Sequence, residues 1–291
     1  MRGLVRRVGA RVKDIVLARD SRTIVFRAEG CGLANRLRAL VGYQALASLR
    51  KLPFHLAWTP DTFCPSEFKD LFDSPIDLLG QQELRSISPR AIYREKIWFD
   101  NIWMRWGEGI DWIIYLREVH ACLGALTPQR AITGTVAEFQ RTHDLSDAVG
   151  VHIRNTDNVA NYAELMKHYS DFDPKQISTV AGFSCMIGAN IQSRPVFLAT
   201  DDPELEKTLK QRFPPLLTFP KSHDVTKLRT TSVEAALSEL WLLGRCHHVV
   251  GTYYSSFSEL SAIWGKIPYF KVVCDQVVRC PFVDRMISTG E

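Results

Sequence analysis

The sequence predicts an α/β protein with mostly parallel sheets, and three observations carry that expectation. From Ala148 onward, short β-branched runs alternate with helix-length segments, a spacing that calls for parallel strands joined by helices on both faces. Earlier, the run Thr23 to Ala28 passes through the turn Glu29-Gly-Cys-Gly32 into a helical pattern, the form of a β-loop-α unit. A chain of 291 residues with 46% hydrophobic content is longer than one compact domain usually needs, so two similar α/β halves are expected.

The elements follow in order. After the first strand comes a helix from about residue 34 to 50 with a polar and an apolar face, then a strand at Phe54 to Trp58. The stretch to about Thr127 is rich in Trp and broken by prolines at 60, 65, 75 and 89, which reads as loops and short helices. Pro128 and the polar run Gln140-Arg-Thr-His-Asp-Leu-Ser-Asp147 then interrupt the pattern. This places an N-terminal, acceptor-side domain at 1–135 and a C-terminal domain at 136–291. Next come strand 148–153, helix near 174–192, strand 195–199, helix 202–213, strand 216–219, helix 232–245, strand 248–251, helix 255–265 and strand 268–273. Ligands of such sheets sit at the carboxyl ends of the strands, and a cleft between two halves is the natural ligand site.

Composition narrows the function. A net charge of +4 suits a phosphorylated ligand and is too weak to argue for nucleic acid, for which no motif is present either. The seven cysteines are scattered without a Cys-x-x-Cys pair, so neither a disulfide framework nor a zinc site is indicated and a reducing cytosol fits. No glycosylation sequon, signal peptide or run of about 18 apolar residues is found, and a cytoplasmic protein is expected. Residues 1–19 alternate Arg2, Arg6, Arg7, Arg11, Lys13 and Arg19 with Leu4, Val5, Val8, Val12, Ile15 and Val16. This basic amphipathic segment reads first as an ordinary surface helix and second as a peripheral contact with a membrane surface, near a lipid-linked acceptor.

Three polar clusters fall at strand ends. In Val149-Gly-Val-His-Ile-Arg-Asn-Thr-Asp157, His152 and Arg154 share a face because side chains alternate along a strand. Arg154 offers a fork of donors to a diphosphate, and Asp157 is a carboxylate placed for proton transfer. Val196-Phe-Leu-Ala-Thr-Asp-Asp-Pro203 runs into carboxylates that a helix cap mostly explains. Val249-Val-Gly-Thr-Tyr-Tyr-Ser-Ser-Phe-Ser258 ends in a hydroxyl-rich turn that opens a helix, an anion cradle in which Ser255 and Ser256 are prominent. Upstream, Glu239 lies in the apolar half of its helix, where a carboxylate facing a cleft can accept two hydrogen bonds from guanine. There is no phosphate loop and no Gly-x-Gly-x-x-Gly, which argues against an NTPase or a dinucleotide dehydrogenase. The one Asp-x-Asp, Asp171-Phe-Asp173, precedes Pro174 and reads as a cap, so no metal is expected.

Taken together, His152-Ile-Arg-Asn-Thr-Asp157, Phe197-Leu-Ala-Thr-Asp-Asp202, and Glu239-Leu-Trp-Leu-Leu-Gly-Arg-Cys246 leading to Gly251-Thr-Tyr-Tyr-Ser-Ser256 resemble the nucleotide-binding half of GDP-fucose-dependent fucosyltransferases. These are the α-1,6-fucosyltransferases, including nodulation enzymes, and more distantly the protein O-fucosyltransferases. Gly30-Cys-Gly-Leu-Ala-Asn-Arg36 resembles the glycine loop of their N-terminal half. The resemblance implies a GT-B fold, two Rossmann-like halves with mostly parallel sheets facing a central cleft. It also implies inverting, metal-independent transfer of fucose from GDP-fucose to a hydroxyl of an oligosaccharide or lipid-linked glycan, with no cofactor.

By the same resemblance Arg154 would hold the β-phosphate and stabilise departing GDP, and His152 and Glu239 would contact the nucleoside. Ser255 and Ser256 would bind the diphosphate, while Gly32 and Asn35 would face donor and acceptor from the other half. The chain departs from the family where a second Arg and a Lys are replaced by Asn155 and Asn158, and where the proposed general base aligns with Tyr162. That leaves Asp157, by position, and Glu164 as the carboxylates for the base. Competing readings are a transferase for another nucleotide sugar, a metal-dependent transferase and a non-catalytic nucleotide- or glycan-binding protein.

Overall fold

The computed structural model describes residues 23–86, 92–93, 110–155, 173–224 and 230–288. The basic segment 1–19 and residues Asp157, Asn158, Tyr162, Glu164 and Asp171 lie outside them. Packing divides the chain into two compact units, Met1–Thr127 and Pro128–Thr289.

In the first unit, strand β1 (Thr23–Ala28) lies between β2 (Phe54–Trp58) and β3 (Ile92–Tyr93) in a parallel sheet of order β2-β1-β3. Helix α1 (Leu33–Arg50) returns over it and packs on α2 (Trp112–Ala125). Phe26 stacks on Tyr43 at 5.3 Å, and the Tyr115 hydroxyl donates to the Gly42 carbonyl at 3.3 Å. Asp111 caps α2 by accepting from the N–H groups of Ile113 and Ile114. The expected polar face of α1 is smaller than its sequence suggests, because Arg36 and Arg38 are buried as well as the apolar positions. A guanidinium can be buried there because backbone carbonyls and a carboxylate satisfy it, as described below.

The second unit is built on a six-stranded sheet of order β6-β5-β4-β7-β8-β9. Its strands are β4 (Val149–Ile153), β5 (Val196–Thr200), β6 (Leu217–Thr218), β7 (His248–Thr252), β8 (Tyr269–Val273) and β9 (Gln276–Arg279). All are parallel except β9, an exposed antiparallel edge. Its helices are α3 (Arg130–Thr142), α4 (Val180–Asn190), α5 (Pro203–Arg212), α6 (Val233–Leu243), α7 (Ser256–Gly265) and α8 (Pro281–Ser288). Helix α3 packs on α6, so the helix that crosses residue 135 belongs to this unit.

Strands β4 and β5 are buried along their whole length, and covering on both faces is what makes their sequences continuous apolar runs. Val149, Val151 and Ile153 join Phe183, Ile187, Val196, Leu198 and Val250 in one core. Gly150 and His152 therefore face the other way, and a Cβ on Gly150 would meet the Cys246 sulfur at 3.0 Å. Among the described residues no helix is long and apolar enough to cross a membrane. Strand β9 and helix α8 were not expected from the sequence; β9 is short and exposed, so it carries little apolar patterning.

Candidate functional site

The parallel register brings the carboxyl ends of β4, β5 and β7 side by side, with His152 paired to Ala199 on one flank and Gly251 on the other. Thr252 ties two of these ends together. Its hydroxyl donates to the His152 carbonyl at 3.1 Å and accepts from the Arg154 N–H at 2.9 Å, fixing the backbone that carries Arg154. On the other flank Asp201 accepts from the Asn155 N–H at 2.9 Å, and the Asn155 amide donates to Asp202 at 2.6 Å. Asp202 also caps α5 through the N–H groups of Glu204 and Leu205. The cap expected from the sequence is present, and Asn155, where the resembled family has an arginine, holds both acids.

His152 is buried and its ring stacks on Phe257 at 4.6 Å. Ser255 stands at the N-cap of α7 but makes no capping bond; its hydroxyl lies 3.5 Å from Nδ1 of His152 instead. The first-turn N–H groups of α7 are thus uncapped by a side chain, unlike those of α4, α5 and α6, which Thr179, Asp202 and Ser232 cap. Such an end favours an anion. Tyr254 before it sits in the left-handed region at φ 63°, a conformation costing about 1 kcal/mol or more for a bulky residue. Ser258 and Ser261 are buried and donate back along the helix, while Ser256 is half-buried. Gly251 is required: a Cβ there would lie 2.1 Å from the Ser258 hydroxyl and 2.8 Å from that of Tyr269.

Glu239 is 4% exposed and pairs with Lys221, whose ammonium also lies 3.0 Å from Glu206. Burial pushes the Glu239 carboxyl up to about 7 against the pull of Lys221. Burial also opposes the Lys221 ammonium, but the two carboxylates outweigh it and hold its pKa above the ordinary value. His223, 4.0 Å from Glu206, is lowered by burial and by Lys221. Sequence reasoning singled out Glu239 and missed Lys221, Glu206 and His223, since nothing local distinguishes them from solvated charges.

In the first unit the loop Glu29–Gly32 is held by a buried charge. Arg36, fully buried, donates to the carbonyls of Cys31, Ala28 and Thr59 at 2.8, 2.9 and 2.7 Å and lies 2.6 Å from Asp61. Asp61 accepts in turn from the N–H of Gly30, which needs the left-handed φ of 72° that glycine tolerates. Burial works against ionisation of Asp61, but the N–H groups of Gly30 and Phe63, Arg36 and the Cys64 N–H together lower its pKa. Gly32 is the N-cap of α1 without a side-chain cap, and Asn35 is half-buried in its first turn. Asp173 accepts from the Lys175 N–H at the start of the 3-10 turn Pro174–Gln176, the capping role read from the sequence. Among the described residues no group of acids, histidines and cysteines could hold a metal ion.

No family model and no curated relative matches the chain. Among solved structures it is similar to NodZ α-1,6-fucosyltransferase co-crystallized with GDP, at TM-score 0.58 and 16% identity over 86% of this chain and 94% of that one. Fucosyltransferase NodZ from Bradyrhizobium matches at TM-score 0.56 and 16% identity, covering 86% of this chain and 96% of that one. A variant of Arabidopsis thaliana FUT1 in complex with GDP matches at TM-score 0.53 and 10% identity, over 93% and 77% of the two chains. The fold is that of the GT-B fucosyltransferases. What the fold can do here rests on the residues it brings to the strand ends.

Proposed function

We propose that the protein is a glycosyltransferase that moves fucose from GDP-fucose to a hydroxyl of an oligosaccharide or lipid-linked glycan, with inversion and without a metal. The observation that carries this reading is the convergence of Arg154, His152 and the uncapped start of α7 at adjoining strand ends. NodZ has been crystallized with GDP and soaked with GDP-fucose, which supports the choice of donor. The first-turn N–H groups of α7 and the Ser256 hydroxyl face the diphosphate, while Ser255 serves it through His152, whose ring it holds. Gly32 and Asn35 of the first unit are assigned to the sugar and the acceptor.

In the reaction the acceptor oxygen forms a bond to C1 of the sugar from the side opposite the diphosphate. The bond from C1 to the phosphate oxygen breaks, and its electron pair leaves with GDP. Arg154, its backbone locked by Thr252, neutralises the charge that grows on that oxygen, a gain made in the transition state. Asp157, outside the described residues, is assigned the hydroxyl proton. Arg154→Ala should lower transfer at least about a hundredfold, the scale of losing one transition-state donor, with the thermal midpoint unchanged. The measurement is GDP release from a panel of nucleotide sugars, repeated with excess chelator. Full activity in that variant overturns the role of Arg154; release of UDP alone overturns the donor; loss of activity in chelator overturns metal independence.

A further inference from the structure

The end of β4 is tied on both flanks by side chains that take over where the sheet ladder stops. Successive N–H groups of a strand point to opposite neighbours. The Arg154 N–H reaches towards β7 and finds the Thr252 hydroxyl at 2.9 Å, while the Asn155 N–H reaches towards β5 and finds Asp201 at 2.9 Å. Asn155 adds a tie that its backbone cannot make. Its amide donates to Oδ2 of Asp202 at 2.6 Å, and Oδ1 of the same carboxylate accepts from the N–H groups of Glu204 and Leu205 at 3.0 Å each. Asp202 is thereby anchored in the first turn of α5, and Asn155 is anchored to it. Asp201 is held in turn by the Thr230 hydroxyl, which donates to its carbonyl at 2.6 Å just ahead of the Ser232 cap of α6.

The chemistry of the group matters as much as its reach. An arginine at this position, as in the resembled family, would bring a second cation to the two acids. An amide donates the bond and adds no charge beside Arg154. Arg154 is half-buried and carries a long side chain, so the direction of its guanidinium depends on where the backbone sets its Cα. A displacement of about 1 Å at a reacting group can cost about a hundredfold in rate.

Resting on the reading that Arg154 meets the departing diphosphate, we propose that Asn155 is the positioning residue for Arg154, its amide fastening the end of β4 to Asp202 and through it to the start of α5. It touches no reacting atom and acts through the residue before it.

The test follows GDP release from GDP-fucose, to water and to a panel of oligosaccharides, with calorimetric GDP binding and the thermal midpoint recorded for each protein. The variants are Asn155→Ala, Asn155→Asp, and the exchange of Asn155→Asp with Asp202→Asn. Asn155→Ala keeps the backbone bond to Asp201 and loses the bond to Asp202, and kcat should fall about tenfold while the KM for GDP-fucose moves less. Asn155→Asp sets one carboxylate against another. Its kcat should fall about a hundredfold near pH 8 and recover part of that loss towards about pH 5, where the facing acids share a proton. The exchange restores the bond with donor and acceptor reversed, since asparagine caps a helix as well as aspartate does, and should bring kcat back close to the wild-type value.

The proposal is overturned if Asn155→Ala leaves kcat unchanged, or if the exchange remains as slow as Asn155→Asp alone. A parallel fall of kcat, GDP affinity and midpoint in every variant assigns Asn155 to folding alone and overturns it too. Should Asn155→Asp fail to fold, the exchange and Asn155→Ala decide by the same comparison with the wild type. A wild type that neither binds GDP nor releases it from GDP-fucose refutes the donor reading, whereas an active wild type whose variants keep its rate refutes the role of Asn155 alone.

Discussion

Two β-loop-α junctions of this protein, those after β1 and β7, solve one problem by different chemistry. Both put the start of a helix, uncapped by a side chain, at the end of a parallel strand: Gly32 after β1 and Ser255 after β7. The first junction is held by charge, with Arg36 gathering three carbonyls and Asp61 gripping the Gly30 N–H. The second is held by neutral hydroxyls and close packing, with Thr252, Ser258, Ser261 and Tyr269 around Gly251. A charge lock is vulnerable to losing a partner, and a packed hydroxyl lock is vulnerable to added volume.

The sharpest way to break that contrast is to exchange the insults. Arg36→Ala removes the donors to the carbonyls of Cys31, Ala28 and Thr59 and the cation beside Asp61, and should destabilise the first unit by about 3–5 kcal/mol, read by urea unfolding. Gly251→Ala should cost about 3 kcal/mol in the second unit, since a Cβ at 2.4 Å from Ser258 Cβ cannot be relieved by a flexible tip. If Gly251→Ala is neutral, the second junction is not packing-limited.

The smallest expected effect is a difference in pH response. Asp61 has a lowered pKa, so its contribution is present above its ordinary 3.8 and is lost as pH falls through the lower folded value. Glu239 runs the other way. Its folded pKa is raised, so the folded state binds the extra proton, and stability declines as pH rises from 4.5 to about 7. Unfolding midpoints followed between these pH values should fall for the wild type and stay level for Glu239→Gln. A level wild-type curve would show that Lys221 keeps Glu239 ionised throughout.

Much of the frame was readable beforehand because strand and helix periods are local properties of the chain. The runs ending at Ile153, Thr200 and Thr252 announce strands, and Asp202-Pro203 announces a helix start. Asp173 was legible as a cap for the same reason. Ser255 was legible as a turn hydroxyl but not as the partner of His152, because 103 residues separate them. Arg36 read as one basic residue on a helix face, and only its carbonyl cage distinguishes it from a solvated arginine.

By itself the sequence determined the α/β class, the parallel strands and which polar residues stand at their ends, since these follow from side-chain period and turn chemistry. Tertiary structure alone decided the pairings: Thr252 with Arg154, Arg36 with Asp61, and Lys221 with Glu206 and Glu239. The reason is physical. A charge or hydroxyl is satisfied by whatever group the fold brings within about 3 Å, and that partner is fixed by strand order and packing rather than by distance along the chain.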